Sequence, residues 1–199
     1  MRIKIKLFIL IVMGSMVLPL YGASYPTIKE KPPENKMYLG ADVVVRQIKL
    51  IASNGSIKYD FEGVRLRYGL EYTGGASVGI EYIPSDSDVQ LGVFGNQLEL
   101  EHGDTLGLYL TIGKPVHLRI GWSTWQAKFT DVASGISDSD TLNAFEVGLG
   151  FNTSIGSNFS IFADYSVRKT DAEFPTFVTG TGELDYDTIL YSVGLNYLF

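Results

Sequence analysis

The sequence predicts an all-β fold, an eight-stranded antiparallel up-and-down transmembrane β-barrel, and three observations carry this prediction. Apolar and polar residues alternate over eight separate segments, and successive side chains of a strand point to opposite faces. Most connections between these segments are alternately short and long. Apart from an N-terminal run, no stretch of about 18 apolar residues could cross a membrane as a helix.

The alternation predicts eight strands. This number is even, as single-chain bacterial barrels require. They run over Met37–Leu50, Ile57–Tyr72, Ala76–Ile83, Thr105–Ile112, Val116–Phe129, Leu142–Phe151, Phe159–Arg168 and Tyr186–Phe199.

In each strand the residues of one parity are apolar or aromatic, so that face is expected to meet lipid. In order along the chain, these residues are Leu39, Ala41, Val43 and Val45; Val64, Leu66, Tyr68, Leu70 and Tyr72; Val78, Ile80 and Tyr82; Leu106, Leu108, Leu110 and Ile112; Val116, Leu118, Ile120 and Trp122; Phe145, Val147, Leu149 and Phe151; Phe159, Ile161, Ala163, Tyr165 and Val167; and Ile189, Tyr191, Val193, Leu195, Tyr197 and Phe199. A water-soluble sandwich could alternate in the same way, but it would rarely finish on an aromatic residue with three aromatics on one face.

The connections predict which strand ends lie together. Thr73–Gly75, Gly113–Pro115 and Asn152–Asn158 are short, whereas Ser53–Ser56, Pro84–Asp104, Thr130–Thr141 and Lys169–Asp185 are generally longer and polar. Short turns belong to the periplasmic side of such a barrel and long loops to the outside. Both termini are therefore expected on the periplasmic side.

One connection leaves two readings open. Val89–Leu100 contains apolar residues and could extend the third and fourth strands above the membrane, or form a separate hairpin. Extended strands are favoured, because β-branched residues in a loop segment often continue the strands beside it.

The N-terminal segment reads as a secretory signal peptide over residues 1–24. Three basic residues precede an apolar run of about 14 residues, and small residues follow at Gly22, Ala23 and Ser24. Cleavage after any of these three residues fits the pattern. An N-terminal membrane anchor is the alternative, but the run falls short of the roughly 20 residues that span hydrocarbon. Residues 25–36 then read as a periplasmic lead-in and residues 37–199 as the barrel.

Composition agrees with a single exported β domain. The chain has 22 glycines, 12 tyrosines, 11 phenylalanines and no cysteine, which excludes a lipoprotein anchor and disulfides. Removing the signal peptide takes away three basic residues and no acid, so the formal net charge changes from -6 to -9. An acidic domain of this kind does not bind nucleic acid through its phosphates.

From Lys36 to Phe199 the chain resembles the small eight-stranded outer-membrane barrels, the OmpA/OmpX-like and opacity-type porin group. The resemblance rests on Gly69–Tyr72, Gly107–Pro115, Val147–Phe151 and Tyr191–Phe199. It implies an outer-membrane location, and Tyr197 with Phe199 resembles the C-terminal signal that the barrel-assembly machinery recognises. Its motifs describe barrel geometry and not chemistry.

The inward face of the predicted barrel carries five acids, five arginines and one histidine. An eight-stranded barrel is only wide enough for side chains to fill, so these charges are expected to pair. Arg67 with Glu81, and Arg119 with Glu146, are the expected pairs. The whole predicted network is Asp42, Arg46, Arg65, Arg67, Glu71, Glu81, His117, Arg119, Glu146, Asp164 and Arg168, with Tyr109 and Asn196 beside it.

No residue pattern points to catalysis or to a cofactor. His117 reads as a hydrogen-bonded lumen residue, and His102 as part of a solvated rim between acids. Trp125 is expected to point inward near the outer rim and to serve in packing. Asp86 with Asp88, and Asp138 with Asp140, lack the spacing of a strong calcium loop.

Three functions stay open on the sequence alone. The favoured one is a non-enzymatic structural or surface-interaction protein with a filled lumen and acidic loops. The second is a narrow channel or a carrier of small apolar molecules, and the third, least favoured, is a lipid-modifying enzyme. Expected partners are outer-membrane lipid, lipopolysaccharide and the barrel-assembly machinery, with no nucleic acid and no second copy.

Overall fold

The computed structural model describes residues 35–52, 55–85, 89–93, 96–173 and 183–199. These residues form ten strands: β1 (Lys36–Ala52), β2 (Gly55–Glu71), β3 (Ala76–Ile83), β4 (Val89–Val93), β5 (Asn96–His102), β6 (Thr105–Ile112), β7 (Val116–Asp131), β8 (Ser137–Ile155), β9 (Phe159–Glu173) and β10 (Glu183–Leu198). Among the described residues, no helix is both long enough and apolar enough to span a membrane.

All paired strands are antiparallel, and the sheet closes on itself. β1 pairs with β2 on one side and with β10 on the other, and β8 pairs with both β9 and β7. β5 and β6 pair with successive parts of β7, and β4 pairs with β5 as β3 does with β6. With β5 and β6 counted as one interrupted strand, β1, β2, β3, β6, β7, β8, β9 and β10 form a closed barrel of eight strands, to which the β4–β5 pair adds at one end. The predicted fold class is confirmed. The interpretation of Val89–Leu100 as strand extensions is confirmed for β5, which continues β6 along β7, but β4 pairs only with β5 among the described residues, as in a hairpin.

Alternation along the strands separates an apolar outer face from a largely polar inner face. The exposed apolar side chains form a band around the barrel, called the apolar belt below. Its members include Leu39, Val43, Val64, Leu66, Leu70, Val78, Ile80, Leu106, Leu108, Leu110, Ile112, Val116, Leu118, Trp122, Phe145, Val147, Leu149, Leu195 and Phe199. Two residues that face outward, Val45 and Ala163, are covered by their neighbours.

The two ends of the barrel differ. Lys36, Phe199 and the short turns at residues 72–75, 113–115 and 156–158 lie together at one end, called the terminus end. At the other end, called the loop end, several strands continue beyond the apolar belt. There the outward residues become polar, for example Glu62 on β2, Thr124 on β7 and Asn143 on β8.

Several predicted boundaries were wrong at the loop end. β1 and β2 are separated by two residues, with Ala52 opposite Gly55, so Ser53–Ser56 is not a long loop. β8 begins at Ser137 and not at Leu142, because polar residues pair with β7 as well as apolar ones do. The predicted signal peptide, most of the lead-in, Asp86 and Asp88 lie outside the described residues.

Candidate functional site

The barrel interior gathers ten of the eleven predicted lumen charges in buried positions. Asp42, Arg46, Arg65, Arg67, Glu81, His117, Arg119, Glu146, Asp164 and Arg168 are each at most 5% exposed, and Tyr109 and Asn196 are buried beside them. The ten charged residues come from six strands, because inward positions of different strands meet at the same height in a narrow barrel.

Four carboxylates and four arginines form one connected set of ion pairs, called the charge network below. Glu81 contacts Arg65 at 3.1 Å and both Arg119 and Arg168 at 2.5 Å. Glu146 bridges the same Arg119 and Arg168, at 2.5 and 2.7 Å. Because every partner is buried, each charge in the network depends on its neighbours for compensation.

Asp42 and Asp164 complete the charge network. The Asp42 carboxylate accepts a hydrogen bond from the Arg65 guanidinium at 2.7 Å and lies 3.0 Å from the Arg67 guanidinium. Asp164 contacts Arg67 at 2.5 Å and His117 Nε2 at 2.8 Å. The network therefore reaches from β1 across the lumen to β9.

Of the two predicted pairs, one is confirmed and one is wrong. Arg119 binds Glu146 as expected. Arg67 and Glu81 are opposite one another in the β2–β3 register, but their charged groups bind other partners. The reason is that long side chains in a narrow lumen reach the opposite wall, so the facing residue is not the only carboxylate within range.

Glu71 was predicted to lie in the lumen, and this was wrong. Its side chain lies at the rim of the terminus end, 20% exposed, and pairs with Lys114 at 2.5 Å. Glu71 is the last residue of β2, and at a strand end an inward residue can turn toward water. Arg46 lies beyond the charge network toward the loop end, where it contacts His102.

Inward glycines make room for the charge network, and the sequence analysis missed them. A Cβ at Gly150 would collide with Asp164 and His117, and one at Gly107 would collide with Glu81. A Cβ at Gly194 would collide with Asp42 in the same way. The signal was present, because glycine at an inward position opposite a charged one indicates close approach to the strand backbone.

Aromatic and apolar side chains occupy the lumen on the terminus side of the charge network. The hydroxyls of Tyr38 and Tyr109 are 2.5 Å apart, and Leu198 belongs to the same buried cluster. The Arg67 guanidinium lies 4.1 Å from the Phe162 ring centroid, and that of Arg119 lies 4.1 Å from the Tyr109 ring centroid. Cation–π contacts of this kind link the aromatic layer to the charges.

A second apolar cluster lies in the lumen on the loop side. It contains Ile48, Leu50, Phe61, Leu100, Trp125, Ala127, Phe129, Leu142, Ala144 and Tyr186. Trp125 points inward, as predicted, and stacks on His102 with ring centroids 5.6 Å apart. Its Nε1 and the hydroxyls of Tyr59 and Tyr186 are buried without a hydrogen-bond partner among the described residues.

The expectation that His102 belongs to a solvated rim was wrong, because a β-bulge turns this residue inward. His102 and Leu106 are four positions apart in the chain, but their partners on β7, Ala127 and Thr124, are only three positions apart. The extra residue lies at Gly103–Asp104 and reverses which face the following side chains take. His102 is consequently 4% exposed.

The bulge also decides the charge state of His102, which lies beyond the apolar belt. Burial lowers its pKa well below the usual value, and the adjacent Arg46 guanidinium lowers it further. The imidazole is therefore neutral at pH 7, and its Nδ1 lies 3.0 Å from both the Arg46 guanidinium and the Gly103 carbonyl oxygen, so the tautomer decides which of the two it bonds.

The acids of the β7–β8 hairpin do not form a cation site in the described residues. Asp138 and Asp140 each accept a hydrogen bond from the backbone N–H of the following residue, at 2.7 Å. No group of three or more His, Asp or Glu side chains in the described parts of the chain could hold a metal ion.

Comparisons with known proteins bear on the fold. The chain matches no family model and no curated protein by sequence. Its structure is similar to Neisserial surface protein A, with a TM-score of 0.51 and 15% identity over 82% of this chain and 97% of that one.

Two further solved structures are similar at slightly lower TM-scores. The attachment invasion locus protein Ail of Yersinia pestis has a TM-score of 0.49 and 19% identity, over 81% of this chain and 98% of that one. The outer membrane protein OprG of Pseudomonas aeruginosa has a TM-score of 0.48 and 13% identity, over 83% of this chain and 95% of that one. The closed barrel, its apolar belt and its likeness to Neisserial surface protein A together identify the fold as that of the small eight-stranded outer-membrane β-barrels.

Proposed function

We propose that this protein is an integral outer-membrane β-barrel with a side-chain-filled lumen, which acts as a structural or surface-interaction protein. The observation that carries the proposal is the reversal of polarity across the wall. Exposed Leu, Val and Ile cover the outside at mid-height, while eight charges of the network are buried inside. Such a wall is stable when lipid surrounds it, because lipid covers the apolar face.

The location that follows is the outer membrane, reached by export and cleavage of the signal peptide between Gly22 and Tyr25. The terminus end would face the periplasm and the loop end the outside. Acidic residues of the loop end, among them Asp104, Asp131 and Asp138, would then face the medium. Asp131 is held in place by the Ser134 hydroxyl, which donates to its carboxylate at 2.5 Å.

Three layers of interior side chains favour a filled lumen and argue against an open channel. The Tyr38–Tyr109 layer, the charge network and the Trp125 cluster follow one another from the terminus end to the loop end. A pore needs a continuous water path, and buried ion pairs at close distances leave little room for one.

Planar-bilayer recording tests the filled lumen. The wild-type protein should pass no steady current, apart from rare small openings. A variant with Tyr38→Ala, Arg65→Ala and Trp125→Ala, which thins all three layers, should conduct more than wild type. Steady ohmic current through the wild type would replace the structural proposal with the channel alternative.

A carrier of small apolar molecules is the second candidate, and the loop-side cluster favours it. The aromatic and aliphatic side chains of this cluster, among them Phe61, Trp125 and Phe129, offer an apolar ligand rings and methyl groups to contact. In the Trp122→Phe variant, Trp125 is the remaining tryptophan, so naphthalene binding should quench its emission saturably. An unsaturable response would remove this candidate.

The lipid-modifying enzyme remains the least favoured alternative. Hydrolysis by a serine nucleophile needs a histidine beside its hydroxyl. In the described parts of the chain, His117 bonds to Asp164, and His102 lies within hydrogen-bond distance of Arg46 and of the Gly103 carbonyl oxygen.

A further inference from the structure

A row of charged residues crosses four adjacent strands on the outer surface, just beyond the apolar belt at the loop end. Lys58 on β2 is directly opposite Lys49 on β1, Lys49 is opposite Asp187 on β10, and Asp187 is opposite Lys169 on β9. These four residues are called the lysine row. Strands lie about 4.8 Å apart, so the row extends over about 14 Å.

The three lysines of the row differ from the other lysines of the described chain. Lys36, Lys114 and Lys128 each bind an oxygen of this protein: the Ser157 carbonyl, Glu71 and Glu101, respectively. Lys49, Lys58 and Lys169 form no hydrogen bond or ion pair with any described residue.

Lys49 and Lys58 also form an unfavourable pair. Like charges directly opposite one another on a sheet are destabilising. The protein is acidic overall, so it does not lack carboxylates that could stand beside these lysines. Asp60 is the nearest acid on the same face of β2, and its carboxylate accepts a hydrogen bond from the Gln47 side-chain amide. Two facing, unpaired ammonium groups are the arrangement that an external anion would neutralise.

The row rises away from the apolar belt because it runs across tilted strands. Lys169 is two residues beyond the outward Val167, whereas Lys58 is six residues from Val64. With about 3.3 Å per residue and strands tilted by roughly 40°, the Cα atoms of Lys169 and Lys58 lie about 5 Å and about 15 Å above those of Val167 and Val64. The interfacial layer of an ordinary bilayer is only about 5 to 7 Å deep on each side. An anion that reaches Lys58 at the upper end of the row must therefore belong to a headgroup taller than that of a glycerophospholipid.

We propose that the lysine row binds the phosphorylated sugar headgroup of a glycolipid in the surrounding leaflet. The three lysines bind phosphate groups, and Asp187 accepts hydrogen bonds from sugar hydroxyls between them. The apolar belt below the row receives the acyl chains of the same molecule. This inference rests on the proposed membrane location and adds to it the class of lipid and the residues that bind it.

Binding of core-containing lipopolysaccharide to the folded protein in neutral detergent micelles tests this site. The double variant Lys49→Gln/Lys58→Gln is compared with Lys36→Gln/Lys114→Gln, which removes the same charge at the terminus end. Lys169→Gln is compared with Lys128→Gln, whose lysine is paired with Glu101 at the loop end. Each lysine of the row should contribute about fivefold in Kd, which corresponds to about 1 kcal/mol.

The Kd should therefore rise about 25-fold in the double variant and about fivefold in Lys169→Gln. Both control variants should stay within about twofold of wild type, because their lysines lie outside the row. Dephosphorylated lipopolysaccharide should bind more weakly and should not respond to the lysine substitutions. Phosphatidylglycerol and inorganic phosphate should not compete.

Equal binding by wild type and the double variant would overturn the site, as would equal binding of the dephosphorylated lipid. Competition by phosphatidylglycerol or inorganic phosphate would overturn the proposal that the ligand is a headgroup taller than that of a glycerophospholipid. In each of these cases a heat-modifiable barrel in vesicles would leave the membrane proposal intact. A chain that does not insert into vesicles at all would overturn both.

Discussion

Glu81 joins more of the charge network than any other described carboxylate, because it contacts three arginines from three different strands. Its side chain reaches them through the space left by Gly107, where a Cβ would collide with it. At the residue scale, the interior depends on this alternation of one long charged side chain and one glycine. Each partner is tolerated in the lumen only because the other is present.

Replacing Glu81 with Gln should lower the free energy of unfolding by about 3 to 5 kcal/mol, since it leaves buried arginines partly uncompensated. Urea unfolding in lipid vesicles measures this. Glu71→Gln is the control, since Glu71 pairs at the rim, and it should cost at most about 1 kcal/mol. Combining Arg67→Met with Glu81→Leu should not restore stability, because Arg67 binds Asp164 and Asp42. A fully stable Glu81→Gln variant would mean that these charges are hydrated.

Gly150→Ala should lower the free energy of unfolding by about 1 to 3 kcal/mol, because the new Cβ would overlap the His117–Asp164 pair. Gly63→Ala is the matched control. Gly63 is also an inward position of a strand, but its Cβ would meet only Val44, at 4.0 Å. The two variants should differ clearly in urea unfolding. Equal stability would contradict the close packing described for the charge network.

At the scale of one element, β7 presents different environments on its two faces. Trp122 points outward with 47% of its surface exposed, whereas Trp125, three residues later, points inward with 3% exposed. An odd separation places two side chains on opposite faces of a strand. These are the two tryptophans of the chain, so each can be observed alone.

Brominated lipid should quench the two tryptophans unequally in reconstituted vesicles. The Trp125→Phe variant, which keeps Trp122 in the apolar belt, should lose most of its emission. The Trp122→Phe variant, which keeps Trp125 among interior side chains, should lose little. Similar quenching of both variants, or of neither, would contradict the proposed contact between lipid and the apolar belt.

At the scale of the whole molecule, the barrel exists because its first and last strands pair. β1 and β10 match over fourteen residue pairs, from Tyr38–Leu198 to Ile51–Asp185. At the terminus end, Met37 and Phe199 exchange two backbone hydrogen bonds, of 3.1 and 2.9 Å. Phe199 thus takes part in closure of the wall, apart from its proposed recognition by the assembly machinery together with Tyr197.

Deleting Phe199 should reduce the folded, heat-modifiable band on unheated gels, because the seam loses these two bonds and its terminal aromatic. Phe199→Tyr, which keeps the backbone and an aromatic ring, serves as control and should fold as wild type does. Refolding in detergent separates the two roles of Phe199. A deletion that refolds normally in vitro but is depleted from cell membranes points to recognition, and normal levels in both settings would refute both roles.

Much of the fold could be predicted because alternation is a local property. The lipid-facing sets from Leu39 to Phe199, the even number of barrel strands and the short turns follow from spacing two residues apart. The same rule placed Asp42, Arg65, Glu81, Arg119 and Arg168 inward without any knowledge of their partners. Alternation carries no information about depth, so it placed Glu71 in the lumen although the strand ends there.

By itself, the sequence determined that the strands have two chemically different faces and that eight of them form the barrel. Only the tertiary structure decided which charges pair, because in a narrow lumen Arg67 reaches Asp164 on β9, 97 residues away, and not the facing Glu81. It also decided that His102 is buried, because a one-residue bulge between β5 and β6 reverses the alternation. The lysine row depends likewise on the register of four strands, and register is set by closure of the whole barrel and not by any one segment.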